Sequence, residues 1–269
     1  MISIISFVLC LIIIGILYRN MIAWKGDYRI SRGQALLPVF LGLLSVPISF
    51  IFALIIGWCF RSVTGFAPSE GPALLASFNH ALFSAAMSEE LAKLLITLIV
   101  LCIFRKKLRN VYEYMLIAGA VGFGFTLIED FVYSAGLSGL VMRLPNITAH
   151  VMLGLDMGRH LGLARYNKVT GSGSVIKEYL LAYFVPVFCH AVFDFFAANK
   201  LIHAGDDVEV VTAEIQRSVH IGVGMVLIAV ISVFIFQIYL FKRLKKNASN
   251  LVALSFTDAG STEQENTNA

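Results

Sequence analysis

Five carboxylates, two histidines and a lysine stand where this chain should carry only hydrocarbon. Glu89, Glu90 and Lys93 interrupt "SAAMSEELAKLLITLIVLCIF" (84–104). Glu129 and Asp130 close "FGFTLIED" (123–130); His150 opens "HVMLG"; His190 and Asp194 bracket "HAVFD". Ionised together, the five acids carry −5 and Lys93 returns +1. A balance of −4 does not persist in a low dielectric. Protonation of some carboxylates would provide a general acid/base. A cation among them would make a mixed His/carboxylate metal site of the kind zinc accepts. Water could also enter. The first two arrangements both supply hydrolytic machinery: a base for water, and a cation or imidazolium for an oxyanion.

The elements that must hold these groups are membrane spans. The 269 residues are 58% hydrophobic and 14% charged, whereas soluble domains run near a quarter charged. Apolar runs of about 20 residues recur, each enough to cross a ~30 Å hydrocarbon core. Seven are read: 2–18, 36–59, 74–104, 113–136, 144–163, 179–197 and 219–241. The expected fold is all-α, a polytopic membrane helix bundle, with 1–245 as one transmembrane domain. Residues 246–269 read as a polar, disordered cytoplasmic tail. The first run lacks a basic n-region and a small-residue cleavage site, so it reads as a retained helix and not a signal peptide. Span three, at about 31 residues, is long enough to tilt, break or re-enter. The net charge of +4 reflects basic loops and implies no nucleic-acid partner. Cys10, Cys59, Cys102 and Cys189 have no metal spacing and read as packing residues.

Basic residues orient the bundle. Sixteen of the 21 lie in alternate loops, including "RKKLR" (105–109) and "KRLKK" (242–246); four lie in the other loops, and Lys93 is within a span. The positive-inside rule then expects the N-terminus outside and the C-terminus in the cytoplasm.

At 1.5 Å per residue, Glu89, Glu129, His190, Asp194 and His150 all fall ~17–22 Å above the cytoplasmic ends of their spans. Four helices of alternating direction thus bring polar groups to one level in the outer half of the bilayer. Such groups face the bundle interior and carry function. His190 and Asp194 share a face at i,i+4. Lys93 can reach Glu89 (i,i+4) or Glu90 (i,i+3). Adjacent residues diverge by ~100°, so one of Glu89/Glu90 is expected at the reacting centre and the other on Lys93 or a neighbouring helix. Asp156 points ~240° away from His150 and reads as a structural partner of Arg159. Gly119, Gly122 and Gly124 read as close-packing positions.

These motifs, in order and on these helices, resemble the PrsW family of intramembrane proteases, a relative of the CAAX prenyl endopeptidase/bacteriocin-processing group. "EELAK" matches EExxK, "FGFTLIED" resembles the aromatic–Gly–aromatic run ending in glutamate, and "HVMLG" and "HAVFD" match HxxxG and HxxxD. The resemblance covers about residues 35–200, a protease-like core. It implies an intramembrane endopeptidase of a bacterial cell membrane, cutting a membrane-anchored protein such as an anti-sigma factor near the outer half of the bilayer. The implied catalytic set is Glu89, Glu90, Glu129, His150, His190 and Asp194. The family is described both as metalloprotease and as glutamic-type. In the first case Glu129, His150 and His190 would hold a metal, zinc being the candidate; in the second no cofactor is implied. Asp130 departs from the Asn that often follows the second-motif glutamate and adds negative charge. A proton- or cation-coupled transporter and a non-catalytic scaffold are the competing readings. Against the transporter, the sequence shows no repeat and no pair of broken helices.

Overall fold

The computed structural model describes residues 2–23, 32–133, 148–206 and 210–256. Among them the chain forms α1 (Ile2–Ala23), α2 (Arg32–Leu43), α3 (Ser45–Thr64), α4 (Ala73–Asn79), a π-helical turn (His80–Ala86), α5 (Met87–Phe104), α6 (Val111–Tyr133), α7 (Ala149–Thr170), α8 (Val175–Ala197), a 3-10 turn (Lys200–His203) and α9 (Ala213–Ala253). α2 with α3, and α4 through α5, each make one rod. The architecture is the all-α membrane bundle expected, with seven rods for the seven spans. The end of span four and the start of span five, Lys25, Arg29 and Arg143 lie outside the described residues, as do tail residues 257–269.

Among the described residues, four stretches are long and apolar enough to cross a membrane by themselves: Leu36–Thr64, Val111–Val132, Val175–His203 and Ala213–Ala253. α5 and α7 fall short because they carry the chemistry. α7 contains Asp156, Arg159, Arg165 and Lys168 beside His150 and His160. It tolerates them by sitting inside the bundle, with most of its length from His150 to Ala164 buried. Lipid meets the outer helices instead; Leu54, Trp58, Ile231 and Ile235 are all more than half exposed.

α6 is the central post, with Tyr112, Leu116, Ala120 and Val121 fully buried. Its first half meets α1 through Ile14, Leu17 and Tyr18, and Tyr112 Oη donates to Met21 O (2.7 Å). Its other faces meet α2 and α7 at backbone distance. A Cβ on Gly122 would collide with the His150 carbonyl, and one on Gly124 with the Val39 carbonyl. Gly154 and Gly158 repeat this contact from α7, against the Ala118 and Tyr114 carbonyls. Close approach of this kind is how helices associate where no hydrophobic force separates lipid from protein. Gly122→Leu is expected to push α7 off α6 and lower stability by about 1–3 kcal/mol. Gly57→Ala, with nothing within 4 Å of the new Cβ, is expected to hold stability or raise it by up to about 1 kcal/mol. Unfolding in mixed micelles compares the two.

Span three neither breaks nor re-enters. It widens into the π-helical turn just before the acidic pair, where Met87 N–H reaches back to Leu82 O. Such turns free carbonyls and cluster at functional sites. Ser88 Oγ meets the carbonyls of Ser84 (2.6 Å) and Ala85 (2.9 Å), and Tyr183 Oη of α8 donates to Met87 O (3.0 Å). The turn is thereby pinned to α8, about two turns before His190.

α9 runs 41 residues, ~60 Å at 1.5 Å per residue, about twice the hydrocarbon core. The boundary read at 245/246 therefore falls inside a helix. Leu244 and Ala248 are buried against the body, and Phe256 N–H donates to Arg109 O (2.7 Å). Two cysteines differ from expectation: Cys59 and Cys102 are exposed on the bundle surface, whereas Cys189 is half-buried and the side chain of Cys10 lies outside the described residues.

Candidate functional site

Side chains from α5, α6, α7 and α8 meet at one place. His190 lies between the two adjacent glutamates. Its Nδ1 is 2.8 Å from Glu90 Oε1 and its Nε2 is 3.8 Å from Glu89 Oε2. The ~100° divergence of neighbouring residues is thus spanned by the width of one imidazole ring. Glu90 is fully buried, and Lys93 Nζ donates to its Oε1 at 2.7 Å. Glu89 Oε2 stands 3.9 Å from Lys93 and is 19% exposed at the side chain. The lysine has chosen Glu90, and Glu89 is the carboxylate left to the centre.

Lys93 also donates to His150 Nδ1 (2.9 Å), a contact between helices that spacing along the chain does not reveal. An ammonium has no lone pair, so Nδ1 must accept and the His150 proton sits on Nε2. That Nε2–H points at Glu129 Oε2, 2.5 Å away. His190 gives Nδ1–H to Glu90, and its Nε2 faces Glu89 Oε2 and Asp194 Oδ2 (3.2 Å); a ring nitrogen facing two carboxylates donates to them and becomes a ligand only on giving up that proton. The rings of His150 and His190 are 5.2 Å apart, edge to face. Phe125 packs on His150 at 4.9 Å between ring centroids, and Lys93 Nζ lies 4.1 Å above the Phe125 ring. Phe125 stands four residues before Glu129, on the same helical face; that spacing was the available signal for it.

Of the expected residues, Glu89, Glu90, Glu129, His150, His190 and Asp194 all join this cluster. Asp130 is buried on α6. Asp156 lies apart, with Arg159 Nη1 at 3.8 Å, as its phase on α7 requires. His160, on the same face, sits 2.6 Å from Glu178 of α8 and 3.8 Å from Asp156. This buried structural pair between α7 and α8 was not expected from the sequence.

A cavity of about 660 Å³ opens beside the cluster, lined by Glu129, His150, His190 and Asp194 and, across from them, by α9 through Ile228 and Phe236. Its lips are hydrocarbon: Phe188, Ile228 and Phe236 are 68%, 56% and 42% exposed. Thr148 Oγ1 donates to Gln237 Oε1 of α9 at one end.

The donor chemistry accommodates a divalent cation. Glu89, His150 and His190 each offer one ligand atom, all within 4.8 Å of one another. Glu89 Oε2 is buried without a hydrogen-bond partner, and His190 Nε2 lies 3.8 Å from it. Glu90 on the far nitrogen of His190 is the carboxylate–histidine arrangement that orients ligating imidazoles. Glu129 touches this set through His150.

The profile of the PrsW family intramembrane metalloprotease matches residues 34–236. The chain belongs to this family. It is an intramembrane protease, a multi-pass membrane protein whose substrates are membrane proteins met in lipid. No curated protein and no solved structure matches the chain. A PrsW-family metalloprotease needs a metal, a base for water and access for a peptide. The four-helix cluster, its acidic residues and the apolar-lipped cavity are compatible with each requirement.

Proposed function

We propose that the chain is a zinc-dependent endopeptidase that hydrolyses a peptide bond of a membrane-anchored protein at the Glu89–His150–His190 cluster. The observation that carries this reading is the convergence of three ligand atoms within 4.8 Å of one another beside an apolar-lipped cavity. Glu89, His150 and His190 would hold the ion, which supplies Lewis acidity at the scissile carbonyl and a water acidic enough to attack near neutral pH. Holding the ion through His150 Nε2 and His190 Nε2 would require both nitrogens to give up their protons, as metal ligands do.

The chain's own groups do the rest. Glu90 holds His190 by Nδ1–H, and Lys93 neutralises Glu90 and holds His150. Glu129 lines the cavity; it takes the proton of the attacking water and returns it to the leaving amine, the usual double duty of a carboxylate base. Asp194, beside His190 Nε2, accepts a hydrogen bond from the incoming water or backbone. The apolar lips between α8 and α9 accept a lipid-embedded segment sideways, unwound so that its scissile bond reaches Glu129.

The substrate we favour is a single-span protein such as an anti-sigma factor, cut in the outer half of a bacterial plasma membrane. The positive-inside count, with the N-terminus outside, supports that side. The test is cleavage in liposomes of a single-span reporter and of the same peptide without its span. Cleavage of the spanning form alone is expected. Proton flux across the liposome with neither substrate cut would overturn the reading in favour of a transporter.

A further inference from the structure

The other end of the same helices holds a second cavity, about 480 Å³, that the hydrolytic reading does not use. Arg105 and Lys106 reach it from the end of α5, Arg165 from α7, Tyr114 from α6 and Tyr179 from α8. Its floor is Leu101 and Leu161, and Leu98 and Cys102 are exposed at its mouth. The three cations have no carboxylate partner among the described residues. The nearest acids in sequence are already engaged. The Glu113 carboxylate accepts from Arg109 N–H (2.5 Å), and Glu178 is taken by His160.

We propose that this cavity binds the headgroup of an anionic phospholipid. Three cations and two phenol hydroxyls at the rim match a phosphodiester, whose oxygens accept from all five groups. The leucine floor matches the first carbons of an acyl chain, which a soluble phosphate lacks. The position matches as well. α5 and α7 end here and α6 and α8 begin here, so the cavity lies where the bundle leaves hydrocarbon, on the face the positive-inside count expects to be cytoplasmic. Basic pockets between transmembrane helices on that face are a recurrent form of lipid site. A bound lipid would tie the base of α5, which carries Glu89, Glu90 and Lys93, to the bases of α7 and α8. The proposal does not rest on the catalytic reading and is tested without a substrate.

The experiment measures the thermal unfolding midpoint of full-length protein in neutral detergent while phosphatidylglycerol is titrated in. A saturable rise is expected. Phosphatidylcholine and water-soluble glycerol phosphate should give none at the same concentration. Arg105→Gln/Arg165→Gln should weaken the response roughly 25-fold, at about fivefold per cation near a membrane surface. Lys245→Gln/Lys246→Gln removes equal charge from the end of α9 and should respond as wild type does. Leu98→Trp keeps every charge but fills the mouth at a residue already 41% exposed. It should lose the response too, and it decides the matter should the arginine double variant not fold. Wild-type behaviour in Leu98→Trp, or in a folded double variant, would overturn the site. So would equal loss in the Lys245/Lys246 control, or an equal rise with glycerol phosphate.

Discussion

Glu129→Gln should retain the bound metal and lose cleavage by about 10²–10⁴-fold, the usual contribution of a positioned general base. Glu89→Gln should lose both. The difference follows from what each carboxylate faces. Glu89 Oε2 is buried with no hydrogen bond and lies 3.8 Å from His190 Nε2; its amide would present a weaker, neutral ligand. Glu129 lines the cavity and touches the cluster only through His150. Both amides are near-isosteric, so helix content and membrane insertion should not change. Metal per chain, measured on purified protein beside the reporter rate, separates the two roles. Equal metal loss in both variants would make Glu129 a ligand, and wild-type cleavage in either would remove that residue from the mechanism.

Lys93→Met should be the most destabilising single change in the bundle, by about 3–5 kcal/mol, because it removes one partner of a fully buried ion pair and leaves the other charge behind. Glu90 would keep only the His190 Nδ1–H on Oε1, and its Oε2 already lacks a hydrogen bond. His150 would at the same time lose the donor on Nδ1 that fixes its tautomer. Glu90→Gln/Lys93→Met removes both charges and should recover at least half of the lost stability, since buried pairs replaced together are often neutral. Cleavage should stay lost, because His150 loses the donor on Nδ1 and His190 keeps only a neutral amide oxygen in place of the carboxylate. Unfolding by a denaturing detergent measures the stability, and the reporter the activity. A single Lys93→Met variant as stable as wild type would mean that Glu90 is not charged in the fold.

The spans, the level of the polar layer and the four motif helices were legible in the sequence because each is a matter of rise per residue and apolar length. Glu89, Glu129, His150 and His190 were assigned one depth from four helices of alternating direction, and they meet. What spacing could not give was contact between helices. That Lys93 bridges Glu90 and His150, and that His190 divides Glu89 from Glu90, depends on how α5, α7 and α8 rotate about their axes. Those rotations are set by the glycine contacts of α6 with α7 and by the π-helical turn, and neither has a periodicity to read. The choice between Glu89 and Glu90 was open for the same reason. Hydropathy ends near residue 241, whereas α9 continues to Ala253 as a charged helix with Leu244 and Ala248 buried.

The central claim is a metal-assisted hydrolytic centre where α5, α6, α7 and α8 converge. It is tested most directly by stripping the purified protein with a chelator, assaying the single-span reporter in liposomes, and then returning zinc. The account predicts one metal per chain before stripping, no cleavage after it, and recovery with zinc in the wild type but not in His190→Ala. Full cleavage by the stripped protein would contradict it.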